Sequence, residues 1–189
     1  MLSKICGLSV KIEGLENLPK TDGDIVASKH QSALETTVFH RIVPNTFYVL
    51  KKELMWLPLA GIYFLKTGCI PIDRKGGAKT MRKMLSGVQK RLAEGMNLII
   101  FPEGTRTVPG AKHPYSPGVA FLYDQCHVPV VPVALNTGCF WGKNQTVKKP
   151  GVAVIRFLKP IEAGLPKREF LDTLYQRIET EQDKFETGE

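Results

Sequence analysis

Short apolar runs alternate along this chain with longer stretches of helical periodicity, and that alternation constrains the fold more than any other feature. Val10–Glu13, Asp24–Ser28, Asn45–Leu50, Gly68–Ile72, Asn97–Phe101, Pro129–Asn136 and Val152–Leu158 each read as a strand. Between two of them Ala78, Met81, Met84, Leu85, Val88 and Leu92 step by three and four, placing one apolar stripe on a helix. Lys79, Arg82, Lys83, Lys90 and Arg91 occupy its other faces, and Gly95 follows as a stop signal. Lys167–Lys184 repeats the pattern through Phe170, Leu171, Leu174 and Ile178, with Phe185 close behind. Strands alternating with helices predict an α/β fold, a largely parallel sheet flanked by helices. At 189 residues, without internal repeats or low-complexity linkers, residues 1–189 read as a single domain. Such a domain buries enough surface to need no covalent staples.

Composition narrows the class further. The four cysteines, Cys6, Cys69, Cys126 and Cys139, form no Cys-x-x-Cys pair and no zinc-like spacing, so reduced thiols are expected and no metal is called for. The formal charge of +8 permits an anionic partner. However, the basic residues are spread along the whole chain without any nucleic-acid signature, so no nucleic-acid partner is expected. The longest apolar run, Leu54–Leu65, holds twelve residues. As a helix it would cover about 18 Å, against a hydrocarbon core of about 30 Å, so it cannot span a bilayer. A helix buried in the core is its simplest reading. A helix resting on a membrane surface, with Lys51, Lys52 and Lys66 at its ends, is the other. The chain opens close to its first strand with no signal-peptide layout, and a leading membrane segment is expected to be missing.

In open α/β sheets, ligand-binding groups collect at the carboxyl ends of strands, and two segments fall there. The first strand end runs Ser28-Lys29-His30-Gln31-Ser32-Ala33-Leu34-Glu35 into a helix. His30 and Glu35 would stand about 140° apart on a continuous helix. They meet only if His30 precedes the helix and Glu35 sits in its first turn. An imidazole held by a carboxylate is a general base. Ser32-x-x-Glu35 also matches a capping box, in which Glu35 only returns a hydrogen bond to the backbone. The two roles compete for one carboxylate, so its orientation decides. No Gly-x-Ser-x-Gly nucleophile elbow is present. If His30 is a base, it activates a hydroxyl or water belonging to a substrate.

The second strand end is Phe101-Pro102-Glu103-Gly104-Thr105-Arg106. Pro102 and Gly104 force a sharp turn, and a guanidinium beside turn amides suits a phosphate. A Glu103–Arg106 ion pair that merely fastens the turn is the alternative.

Together these segments resemble the glycerolipid acyltransferase family. Four blocks match in order: His30 with Glu35, Gly68-Cys-Ile-Pro-Ile-Asp-Arg74, Phe101-Pro-Glu-Gly-Thr-Arg106, and Val128-Pro-Val-Val-Pro-Val-Ala-Leu135. The hexapeptide is the most specific. One departure stands out, since the family's first block reads His-x4-Asp and this chain has Glu35. The resemblance implies transfer of an acyl group from acyl-CoA or acyl-carrier protein to the sn-2 hydroxyl of lysophosphatidic acid. His30 would be the base and Glu35 its orienting acid. Arg74, Glu103, Gly104, Thr105 and Arg106 would bind the phosphate, with no cofactor and no catalytic group in the fourth block. It further implies association with an anionic membrane surface on the cytoplasmic face. An acyltransferase for another acceptor, such as a lyso-ornithine lipid or a different lysophospholipid, fits the same motifs. A non-catalytic basic protein that binds membranes is the rival of another class.

Overall fold

The apolar residues of each strand point alternately to opposite faces, and this splits the core into two layers around one sheet. The computed structural model describes residues 5–19, 23–57, 60–73 and 77–187. In chain order these form β1 (Leu8–Glu13), β2 (Ile25–Ser28), α1 (Leu34–Ile42), β3 (Thr46–Lys51), α2 (Ala60–Lys66), β4 (Ile70–Ile72), α3 (Gly77–Ala93), β5 (Asn97–Ile100), α4 (Pro117–Cys126), β6 (Val130–Leu135), β7 (Gly151–Phe157) and α5 (Lys167–Thr187). Short 3-10 turns cover Leu15–Asn17, Lys52–Trp56 and Thr137–Cys139. Each of the seven apolar runs is a strand.

The sheet order is β1-β7-β6-β2-β5-β3-β4. Every neighbouring pair is parallel except β6 and β7. The expected α/β architecture, a largely parallel sheet flanked by helices, is the one observed. Its central strands β2 and β6 are buried along their whole length, as parallel strands covered on both faces must be. On one face Ile25, Ala27, Phe47, Leu98 and Val130 pack under Val88 of α3, Leu122 of α4, and Phe170, Leu174 and Ile178 of α5. On the other, Val26, Ile99, Val131, Val133 and Leu135 meet Phe39 and Val43 at α1.

The Leu54–Leu65 run departs from the core-helix expectation. It forms the 3-10 turn ending at Trp56 and the short helix α2, with residues 58 and 59 outside the described residues. Trp56 is 86% exposed, Leu65 66% and Ile62 58%. Only part of the run turns inward: Met55 and Phe64 pack on the lower core layer. Among the described residues of this run, Trp56, Leu57, Ile62, Tyr63 and Leu65 form an exposed apolar face beside β4.

Candidate active site

Strand β2 lies between β6 and β5, all three parallel, so their carboxyl ends open on one edge of the sheet. Three loops converge there, one leading from each strand. His30 leaves β2, Glu35 sits in the first turn of α1, and the 102–107 turn leaves β5.

Glu35 does both jobs that its sequence position allows. Its Oε1 accepts the backbone N–H of Ser32 at 2.7 Å and that of Gln31 at 2.9 Å, which closes the loop ahead of α1. The same oxygen lies 2.9 Å from Nδ1 of His30. The helix start falls one residue later than a capping box would place it: Ala33 is the cap, and Ser32 Oγ accepts the N–H of Leu34 at 3.1 Å. A short pre-helical loop therefore lets one carboxylate fasten the backbone and hold the imidazole together. Because a carboxylate oxygen accepts, Nδ1 is the donor in this contact, and in the neutral ring the lone pair then falls on Nε2. The imidazole also stacks on Phe101, with centroids 3.8 Å apart and planes 15° from parallel.

The β2 and β5 loops are stitched together through the backbone of His30. Its N–H donates to Glu103 Oε2 at 2.9 Å, and its carbonyl accepts the N–H of Thr107 at 2.8 Å. Thr107 Oγ1 donates to Glu103 Oε1 at 3.1 Å. Gly104 adopts φ 68°, a left-handed conformation that favours glycine, and its N–H closes the turn onto Phe101 O at 2.9 Å.

Glu103 does not line the cavity that Arg106 faces. Its side chain is fully buried and pairs with Lys29 Nζ at 2.6 Å. Lys29, 1% exposed, also reaches Glu179 Oε1 on α5 at 2.9 Å, and the hydroxyl of Tyr115 donates to that oxygen at 2.9 Å. Burial opposes the charge of Lys29, but the two carboxylates outweigh it, and the ammonium's pKa is raised. Burial and the neighbouring Glu179 push the phenol of Tyr115 well above its usual range. In place of the alternative Glu103–Arg106 ion pair, Glu103 belongs to a buried Glu103–Lys29–Glu179 chain. An anion there would meet carboxylates, so Glu103 braces the turn.

In front of His30 opens a cavity of about 1280 Å³. Thr105 and Arg106 line one side. Among the described residues, no carboxylate pairs with the Arg106 guanidinium. Lys143 adds a second cation near the rim, its Nζ 3.4 Å from Arg106 O. Leu54, Phe64, Met81, Met84 and Ile100 supply apolar wall. His40 belongs to that wall too, against Tyr48 and Tyr63 with centroids 4.9 and 5.5 Å away. Burial lowers its pKa, which favours the uncharged ring.

The structure therefore brings His30, Gly104, Thr105 and Arg106 to one cavity edge, with Glu35 buried behind the imidazole and Glu103 buried beneath the turn. Arg74 lies outside the described residues. The fourth sequence block contains β6, which is buried throughout, and none of its residues lines the cavity. Lys29, Glu179 and Thr137 were missed, although signals existed. Lys29 abuts a wholly buried strand, Glu179 falls beside the apolar stripe of its helix, and Thr137 follows a third strand end.

An acyltransferase family model matches residues 9–136, which include all four blocks. The chain belongs to the acyltransferase family. The chain is 33% identical over 159 residues to the 1-acyl-sn-glycerol-3-phosphate acyltransferase of Limnanthes douglasii, covering 83% of this chain and 56% of that protein. It is 30% identical over 158 residues to the alpha form from Mus musculus, covering 82% and 55%. It is 33% identical over 147 residues to the enzyme so named from Pseudomonas aeruginosa, covering 78% and 57%. The chain thus spans a little over half the length of these relatives. Its fold matches the crystal structure of the 1-acyl-sn-glycerophosphate acyltransferase PlsC from Thermotoga maritima with a TM-score of 0.81 at 22% identity, over 94% of this chain and 72% of that one.

Proposed function

We propose that this acyltransferase moves a fatty acyl group from acyl-CoA or acyl-carrier protein to the sn-2 hydroxyl of 1-acyl-sn-glycerol 3-phosphate, giving phosphatidic acid. The observation that carries the reading is the imidazole of His30, fixed by Glu35 at Nδ1, lining a large apolar-walled cavity that Arg106 also lines. The names of the relatives support the choice of substrate.

Nε2 of His30 takes the proton of the sn-2 hydroxyl as its oxygen attacks the thioester carbonyl. The tetrahedral intermediate collapses with loss of the thiolate, which takes the proton back from the imidazolium. Glu35 orients the ring and balances its transient charge. A base positioned in this way is worth about 10²–10⁴ in rate. Arg106 offers a planar pair of donors to the glycerol phosphate, the bidentate geometry that guanidinium and phosphate share. No acyl-enzyme intermediate is needed.

The substrate is a membrane lipid, and the exposed apolar side chains of Trp56, Ile62 and Leu65 suit a lipid surface. Exposed Lys66, Lys79, Arg82 and Lys83 accompany it on α2 and α3, the two helices that wall the cavity. Basic residues near an anionic surface contribute about 1 kcal/mol each. No described helix is long and apolar enough to cross a membrane. Contact with an anionic surface, on the cytoplasmic face, is the arrangement proposed.

Thin-layer assays with labelled acyl-CoA and a panel of lysolipid acceptors test the reading. His30→Ala should abolish transfer while leaving the circular dichroism spectrum unchanged, and acceptors lacking a phosphate should be used poorly. Equal rates for wild type and His30→Ala would end it.

A further inference from the structure

Glu35 is longer by one methylene than the aspartate that this family's first block carries, and the extra torsion has to be fixed by something. The hydrogen bonds from Gln31 and Ser32 and the contact with His30 all fall on a single oxygen, Oε1. A carboxylate pinned at one oxygen can still pivot about it, because the terminal torsion of glutamate is broad. Pivoting swings the lone pair away from Nδ1. The second oxygen removes that freedom: Oε2 accepts the hydroxyl of Thr137 at 2.7 Å.

Thr137 is fully buried and opens the 3-10 turn that follows β6, the third strand ending at this edge. Its turn is fastened to the His30 loop. The N–H of Gly138 donates to Gln31 Oε1 at 3.1 Å, and a Cβ at residue 138 would come within 2.8 Å of Gln31 Cβ, so the two backbones approach this closely only with glycine there. The Thr137 carbonyl is held in turn by the N–H groups of Trp141 at 3.0 Å and Phe140 at 3.2 Å. The hydroxyl thus comes from a rigid platform 102 positions away in sequence and reaches a carboxylate sealed from water.

We propose that Thr137 is a positioning residue for acyl transfer, which locks the plane of the Glu35 carboxylate and through it the orientation of the His30 ring. The inference rests on the function proposed above. It assigns to the loop after the fourth sequence block a part in the reaction that the block's own apolar side chains do not have. A merely structural hydroxyl would also seek a partner when buried, so the test must separate the two roles.

Thr137→Ser and Thr137→Ala both lose the methyl group, and only Ser keeps the donor. With the full chain, an acyl-CoA and 1-acyl-sn-glycerol 3-phosphate in mixed micelles, Ser should exceed Ala in kcat by about tenfold, a fraction of what a positioned base supplies. KM for both substrates should stay within about twofold. In a Glu35→Asp background, whose carboxylate is drawn back by one methylene from Thr137 Oγ1, the Ser-to-Ala ratio should shrink to about twofold or less. Equal kcat for Ser and Ala, or a difference confined to KM or fully matched by a lowered melting temperature, would overturn the proposal. If wild type exceeds His30→Ala but Ser equals Ala, this inference alone fails. If wild type and His30→Ala are equally inactive or equally active, the parent reading fails and takes this one with it.

Discussion

Lys29 stands directly beside the proposed base, yet its ammonium is buried between Glu103 and Glu179. Removing one member of such a group leaves the others charged and uncompensated, typically at about 3–5 kcal/mol. Lys29→Met should therefore lower the unfolding free energy obtained from urea titration by an amount in that range, and an unchanged free energy would show that the network stabilises nothing. Glu179→Gln, which keeps a hydrogen-bond acceptor for Tyr115, should cost less than Lys29→Met. At this scale the sequence told only half the story. His30 and Glu35 were legible because five positions of chain suffice to bring them together through one short loop. Lys29 was not, because its partner Glu179 lies 150 positions away and only the folded sheet brings α5 over the end of β2. The competition foreseen for the Glu35 carboxylate dissolved for a geometric reason: Ser32 N–H, Gln31 N–H and His30 Nδ1 all approach one oxygen from different directions.

Among the elements, the strands were readable throughout, since each apolar run is short and ends in polar or turn residues. Helix α4 was not indicated by periodicity, because Pro117–Cys126 is apolar on several faces. Its signals were local, Pro117 at the first helical position and Ser116 Oγ accepting the N–H of Gly118 at 3.2 Å. The run 54–65 was misplaced for the converse reason: apolar content says that a segment avoids water and not what it packs against. Trp56→Asp with Ile62→Asp should keep the fold, because both side chains are exposed, and should weaken binding to anionic vesicles by about tenfold or more. Retained vesicle binding in a folded double variant would remove the membrane role from this face. A second junction of elements governs acid stability. Arg156 of β7 bonds Glu13 of β1 and Glu181 of α5, each at 2.7 Å. Lys11 and Arg156 hold the Glu13 carboxyl below its ordinary value of 4.5. For Glu181, burial pushes upward, but Lys184 and Arg156 outweigh it and the pKa is again lowered. A depressed carboxylate contributes stability above its unfolded pKa and loses it as pH falls through the folded one. The urea midpoint should thus be flat at neutral pH and fall below about pH 4.5, and Arg156→Met should flatten that acid limb. An identical acid limb in the variant would place the cause elsewhere.

Over the whole molecule, the residues that resemble the family fall between about 24 and 136, and it is tempting to treat that span as sufficient. The packing argues otherwise. Phe170, Leu174 and Ile178 of α5 are all fully buried against the upper core layer, and burying each contributes about 1.5–3 kcal/mol. Those three side chains together are comparable with the total stability of an ordinary domain, about 5–15 kcal/mol. Gln182 on the same helix brackets the end of β6, accepting the N–H of Leu135 at 3.3 Å and donating to its carbonyl at 2.8 Å. Glu179 completes the pairing of Lys29 beneath the site. Beyond the motif span, therefore, α5 closes the core, fixes the strand from which Thr137 projects, and shares the charge under His30. A chain ended after Gly164 should lose its cooperative unfolding transition, its near-ultraviolet circular dichroism and its resistance to limited proteolysis. A sharp melt in that truncated chain would show instead that the sheet and its remaining helices hold the site unaided.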